Sequence, residues 1–397
     1  MSQSCWWHDR RILPPSLSLL AAADLFSELG RMMFKDFRNL SLAQRRLVFF
    51  LVFGGGLALL VGVTVILAAS ALTSGQRQLS RALVDGVSVR EFAALPDSDA
   101  YPAAVAVAPD GTVYTGSFGS GALFRITPDG AVSEIAGTRD AIGAVFGLAV
   151  AHDGALLVID QIDTDPRSAG GALIRVPLNP DGTLASEINT FFALPEDGQG
   201  YVSPHDVAAA PDGTIYVSDS GRNQVFKFNA DGSGGAVWWV PPSTTARIAI
   251  SGLAIDPVTE SLLVTEPEQN TIFRVRLADG ATDAIYQYQP NQPNPPGFNG
   301  ITVTPDGVIY VAALAQNGIA IVQPPDSPSS DLNDPGSTLN YIAGLFRGAS
   351  DVAFDASRNR LFVTNFDQSA LVIPLIQPQL PFAIDVIELE AIPLQSS

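Results

Sequence analysis

Residues 204–232 read PHDVAAAPDGTIYVSDSGRNQVFKFNADG. Three short β-type runs stand in a row here. Residues 207–210 are small and apolar and stop at Pro-Asp-Gly. Residues 214–218 are rich in β-formers and alternate. Residues 224–229 alternate again and stop at Asp231-Gly232. Asp-Gly between two such runs is a hairpin signal, because glycine takes the positive φ that a tight turn demands. The stretch therefore predicts a small antiparallel sheet with a turn at each corner.

The same pattern is written six times. It returns in residues 103–130 (AAVAVAPDGTVYTGSFGSGALFRITPDG), in 146–182 with an insertion at 162–171, in 251–280, in 299–322 and in 350–374 (SDVAFDASRNRLFVTNFDQSALVIP). The first corners fall near Asp110, Asp153, Asp212, Asp256, Asp306 and Asp355. A strand-only repeat of roughly 40–60 residues predicts a β-propeller, since one such sheet cannot cover both of its faces and must stack against neighbours around an axis. The expected fold class is all-β: six blades of four antiparallel strands over residues 87–397, preceded by one N-terminal transmembrane helix.

Bulk composition agrees. Of 397 residues, 47% are apolar, and the 35 Gly and 29 Pro suit a fold made of turns. A single cysteine, Cys5, excludes an intramolecular disulfide and a cysteine zinc cluster. Beyond Leu72 there are 15 Lys and Arg against 36 Asp and Glu, a net of −21, while the first 72 residues carry +3. Nucleic acid calls for a basic surface, so no nucleic-acid partner is expected.

Residues 47–72, LVFFLVFGGGLALLVGVTVILAASAL, hold no charge. They are long enough to cross a hydrocarbon core of about 30 Å as a helix. Arg31, Lys35, Arg38, Arg45 and Arg46 precede the stretch, and only Arg77, Arg81 and Arg90 follow it closely. The positive-inside bias makes 1–46 a cytoplasmic segment, 47–72 a span of the cell membrane, 73–86 a linker and the propeller extracytoplasmic. The rival is a cleaved signal peptide, for which Ala69-Ser70-Ala71 has the right small-x-small form, although its apolar region is normally 7–15 residues. Met32 and Met33 are alternative starts to Met1.

Two segments compete to finish the last blade. Residues 87–95 align with 189–194, the outer strand expected before the third copy, so they should close the ring from the N-terminal side. Residues 383–389 (AIDVIEL) also alternate like a strand. One is the fourth strand; the other adds outside it or caps an end.

Topology locates the site. The first strand of each blade lies nearest the axis and the second runs back, so first-strand starts and second-strand ends share one face. Ala103, Phe146, His205, Ser251, Asn299 and Ser350 ring the axial mouth. Ser117, Asp160, Asp219, Glu266, Ala313 and Asn365 stand behind them, with Asp206 and Asp351 next to two mouth residues. The aspartates of the Pro-Asp-Gly corners are turn formers. The recurrence of Asp160, Asp219, Glu266 and Asn365 at one blade position favours capping of the next loop's amides. No P-loop, His-Glu-x-x-His or Gly-x-Ser-x-Gly pattern occurs.

The copies at 206–219 and 252–266 resemble the regucalcin/gluconolactonase (senescence marker protein) propellers and the NHL-repeat propellers. The former resemblance implies a lactonase holding one divalent cation, usually calcium, at the mouth through Glu, Asn and Asp at first-strand starts. The matching positions here are Ala103, His205 and Ser251; Asn299 has a suitable side chain but stands in another blade. Two functions are therefore expected. The first is a binding module that takes a small molecule or a protein at the mouth. The second is a metal-dependent lactonase-like hydrolase in which Asn299, Asp206, Asp219 and Glu266 hold Ca2+ or another divalent cation and His205 moves the proton.

Overall fold

In the computed structural model, residues 78–164, 170–193, 202–242, 249–289, 294–323, 336–373 and 376–389 are described, together with residue 41 and residues 62–64. The expected membrane span, 47–72, lies outside the described residues apart from 62–64, which are helical. Among the described residues no helix is long and apolar enough to cross a membrane.

Six antiparallel sheets follow one another along the chain. Blade 1 covers 102–134, blade 2 covers 145–193, blade 3 covers 204–239, blade 4 covers 253–287 and blade 5 covers 298–344. Blade 6 begins at 352–355. The corner after the first strand of blade 3 shows why the repeat folds as it does. Gly213, at φ 88°, donates to Ala210 O, and the Asp212 carboxylate accepts the Thr214 amide at 2.9 Å. The same pair of bonds recurs at Asp110-Gly111 and Asp153-Gly154.

In blades 1, 2, 3 and 5 the first strand starts earlier than the apolar run suggests, whereas in blades 4 and 6 it starts at Leu253 and Val352, after the mouth residues Ser251 and Ser350. In blade 3 the strand is Pro204–Ala209, and its register with Ile215–Asp219 slips between Pro204 and Val207. Blades 1, 2 and 5 slip at the same place. A bulge there leaves one extra residue unpaired and re-aims its side chain. The mouth residues Ala103, Phe146, His205 and Asn299 fall at or inside these slips.

Ring closure uses both of the competing segments, which corrects the expected end of blade 6. Its sixth copy was expected to run to residue 374, with a third strand there. Gln368–Val372 is instead a short helix, and the third strand is Ala383–Leu389. Val87–Ala94 is the fourth, paired with it over seven residues from Val87↔Leu389 to Ala94↔Ala383. Just before it, Arg81–Ala82 adds to the outer strand of blade 5 through Arg81↔Gly344. The N-terminal end of the ring thus binds the edges of two neighbouring blades.

Buried apolar side chains among the described residues fall into six clusters, one between each pair of neighbouring blades. The blade 6–blade 1 cluster joins Phe362, Phe382 and Val386 to Val105, Phe124 and Ile126, with Phe92 packed against it. That seam is as apolar as the other five, so the ring is closed by core packing as well as by strand pairing.

Candidate functional site

Aligning the first strands gives two rings of residues. At the mouth stand Ala103, Phe146, His205, Ser251, Asn299 and Ser350. One residue deeper stand Ala104, Gly147, Asp206, Gly252, Gly300 and Asp351. Four small residues and two aspartates, three blades apart, make the deeper ring twofold. The small residues are required by the approach of the blades. A Cβ on Gly147 would lie 2.7 Å from Asp206 Cα, and one on Gly300 would lie 2.6 Å from Asp351 Cα.

Each aspartate ties its blade to the next in the same way. Asp206 accepts the amide of Leu253 in blade 4 at 2.8 Å and that of its neighbour Val207 at 2.8 Å. Asp351 accepts the amide of Val105 in blade 1 at 2.8 Å and that of Val352 at 2.8 Å. Hydroxyls reinforce the seams. Ser218 donates to Ser251 O at 2.6 Å, Thr265 to Asn299 O at 2.6 Å and Ser350 to Ala103 O at 2.8 Å.

Both aspartates line an axial cavity of about 280 Å³ whose other walls are mostly apolar residues of all six first strands, among them Val105, Leu148, Leu253 and Ile301. Burial pushes both carboxyls above the usual range, and the Asp206 charge pushes Asp351 further. Two amide bonds per carboxylate do not offset that burial.

The residues behind the mouth hold loops. Asp160 accepts the amides of Gly143, Ala144 and Ile162. Asp219 accepts those of Ser203, Gly221 and Arg222 and the side-chain amide of Gln224. Glu266 accepts those of Ala249, Glu268 and Gln269, and burial nonetheless pushes its carboxyl up to about 7. Asn365 accepts the Arg347 amide at 2.9 Å. Asp219 and Glu266 thus serve different loops, whereas Asp206 lies with Asp351 at the cavity. Among the described residues no group of three or more His, Cys, Asp or Glu could hold a metal ion.

His205 sits in an aromatic setting. Its ring meets Phe146 edge-on at 4.6 Å, and Phe146 in turn contacts Phe118 at 5.4 Å and Phe366 at 6.1 Å. The imidazole Nδ1 is buried with no hydrogen-bond partner. Burial lowers its pKa to about 3, so the ring is neutral at physiological pH. Phe118 and Phe366 stand one and two residues past the second strands of blades 1 and 6, and sequence reasoning passed them over. Their common offset from the corner, one residue past Ser117 and Asn365, was the available signal.

The carboxyls give the fold a pH dependence. Asp206, Asp219, Asp351 and Glu266 all have raised values, so the folded chain keeps protons that the unfolded chain has released. Their contribution is fully present below about 4 and is lost as the pH rises toward about 7. Asp97, Asp153 and Asp355 are lowered and act in the opposite sense, below about 4. Melting temperature is therefore expected to rise from pH 7.5 to pH 5, and Asp351→Asn is expected to flatten that rise. Melts over pH 4–8 check it; a lower melting temperature at pH 5 than at pH 7.5 contradicts it.

The arrangement defines a class: a six-bladed β-propeller closed by its own N-terminal strand, with two half-buried aspartates at its axis. Residues 202–228, in blade 3, match the NHL repeat. No curated protein is similar enough in sequence to count as a relative. Solved structures share the fold. The gluconolactonase of Xanthomonas campestris is 17% identical with TM-score 0.52, covering 79% of this chain and 96% of that one. The PQQ-bound aldose sugar dehydrogenase of Streptomyces coelicolor is 14% identical with TM-score 0.54, covering 76% and 98%. A luciferin-regenerating enzyme is 14% identical with TM-score 0.55, covering 76% and 95%. The likeness is one of fold, and these neighbours carry unlike chemistries on it.

Proposed function

We propose that the chain is a binding propeller, anchored in the cell membrane by residues 47–72 with its N-terminus cytoplasmic and its blades extracytoplasmic. The mouth takes a small molecule with a flat apolar body and one hydrogen-bonding group. The observation that carries this reading is the neutral His205, with an unpartnered Nδ1, packed against Phe146 beside Phe118 and Phe366. A buried polar atom without a partner costs about 1–3 kcal/mol, and a ligand that reaches it recovers part of that. The engaged oxygens of Asp219 and Glu266 support binding over metal chemistry.

A second reading, a metal-dependent lactonase-like hydrolase, is favoured by the carboxyl pair at the cavity. Asp206 would hold Ca2+ or another divalent cation there with Asn299 in a neighbouring part of the mouth. Such a cation would polarise a lactone carbonyl, and the neutral His205 would be free to take a proton.

One experiment separates them. Full-length protein in mild detergent is melted with aromatic amphiphiles and, separately, with calcium or manganese. Binding to the folded form raises the melting temperature by mass action. The binding reading expects a rise with an amphiphile that Phe146→Ala abolishes. A rise with a divalent cation, together with lactone hydrolysis lost in His205→Ala, overturns it in favour of the hydrolase. The N-terminal residue of the membrane-bound protein tests the anchor, since a mature chain starting near Leu72 removes it.

A further inference from the structure

Of the described side chains that line the axial cavity of about 280 Å³, only Asp206, Asp351 and Thr302 are polar. The rest of the wall is Val, Leu, Ile, Ala and Phe354 from the six first strands, and none of these lining residues is Lys, Arg or His. Small-molecule pockets have this make-up, an apolar lining with a few convergent polar groups, and begin at about 300 Å³. The cavity is also several times the volume of one water in the liquid, about 30 Å³. Its size and lining are therefore those of a site for a small organic molecule.

Charge says what kind of molecule. The two carboxyls are near enough for the Asp206 charge to raise Asp351. Each of their four oxygens accepts one amide, from Val207, Leu253, Val352 and Val105. A carboxylate oxygen accepts up to about two hydrogen bonds, so each has a place left. The amides bring no net charge, and a carboxylate withdrawn from bulk water calls for a cation. The wall supplies none. A hard divalent ion does not match the pair, because calcium takes about six to eight oxygens and, among the described residues, no third Asp, Glu, His or Cys joins it. An ammonium group does match. It has three N–H donors, enough to bond both carboxyls, and its single positive charge balances one carboxylate while the other keeps its proton. A short carbon chain behind it meets Val, Leu and Ile. The net charge of −21 beyond Leu72 draws cations toward the propeller from outside.

We propose that the axial cavity is a binding site for a small primary alkylamine, with its ammonium bonded to Asp206 and Asp351 and its chain along the apolar wall. The site is distinct from the aromatic mouth, since neither His205 nor Phe146 lines the cavity, and the inference does not rest on the mouth reading.

The test melts full-length protein in mild detergent at pH 8.5 with n-butylamine. The controls are n-butanol, which has the same chain without the charge, potassium chloride at equal ionic strength, and calcium chloride. At this pH an alkylamine is still protonated. The proposal expects a saturable rise in melting temperature of about 2 °C or more with the amine alone. Asp206→Asn and Asp351→Asn are each expected to remove the rise, measured against the variant's own melting temperature without ligand. Ala209→Leu with Thr302→Leu narrows the cavity and leaves both carboxyls in place, so it is expected to remove the rise as well and keeps the test open if an Asn variant fails to fold. An equal rise with n-butanol overturns the ammonium and leaves an apolar site. A rise with calcium and none with the amine overturns it in favour of a metal. An amine response that survives in the folded variants overturns the location. No rise with any probe overturns the proposal and leaves a cavity of water and protons.

Discussion

A chain that starts at Leu95 is expected not to form the propeller, whereas one that starts at Thr73 folds. The missing segment includes Val87–Ala94, the whole outer strand of blade 6. Without it Ala383–Leu389 loses seven pairings and becomes an open edge. Phe92 leaves the cluster at the blade 6–blade 1 seam, where it stands 4.7 Å from Phe362 with Arg360 over its ring at 5.2 Å. Val87 and Val89 leave the neighbouring cluster between blades 5 and 6. Full withdrawal of a large apolar side chain from water is worth about 1.5–3 kcal/mol, and Phe92, Val87 and Val89 are partly buried, so their loss is smaller than that each and adds to the loss of seven strand pairings against a domain stability of about 5–15 kcal/mol. The damage also falls inside the one blade whose four strands no continuous chain connects, since its third and fourth strands come from opposite ends of the propeller. Far-ultraviolet circular dichroism and gel filtration of the two chains decide the matter. Adding a peptide of residues 78–95 to the shorter one should restore a compact species. A shorter chain that melts within a few degrees of the longer one would show that the blade 6 strand is dispensable.

Gly252→Val is expected to destabilise the propeller by about 3 kcal/mol or more, beyond the usual range for an overpacked core. Gly252 belongs to the small-residue ring one step below the mouth. A Cβ there would lie 2.2 Å from Asn299 O and 3.0 Å from Gly300 Cα. Both obstacles are backbone atoms of the next blade, so no flexible side chain can swing clear. Pushing Asn299 away also breaks the 2.6 Å bond from Thr265 to its carbonyl, and Thr265 is the acceptor for the Gly252 amide. Chemical denaturation of the full-length protein measures the loss. An unchanged midpoint would mean that the blades are not in contact at this level.

Much of the fold was legible because its signals are local. Pro-Asp-Gly states its own turn within four residues, and six copies at a regular spacing leave few architectures. The outer strand before blade 1 was legible too, since its alignment with 189–194 placed it beside Asn189–Ala193, the real outer strand of blade 2. The third strand of blade 6 was not. Residues 370–374 are as apolar and branched as a strand, yet Asp367 turns the chain into a left-handed conformation at φ 50° and a short helix follows. The choice between that run and Ala383–Leu389 depends on which one meets Arg360–Thr364 and Val87–Ala94 together. That is a tertiary fact.

The site divides in the same way. Sequence placed His205, Asp206, Asp219, Glu266 and Asn299 near one face, because strand direction is enough for that. It could not say which carboxylates bind backbone. Asp219 and Glu266 bind the loop that follows them and one amide 16 or 17 residues back, while Asp206 and Asp351 each bind the next residue's amide and one in a neighbouring blade. The twofold relation of Asp206 and Asp351 was readable from the aligned copies, but the cavity they share was not.

The strand that seals the circle is also among the first of the blade strands to leave the ribosome. Val87 pairs with Leu389, so roughly 300 residues must be synthesised before its mate exists. At about 5–20 residues per second that interval is about 15–60 s. Throughout it, an unpaired β-edge with Phe92 beside it stands open to any other nascent polypeptide. The circle therefore cannot close until Leu389 has been made, and the first-made blade strand waits for the last-made one.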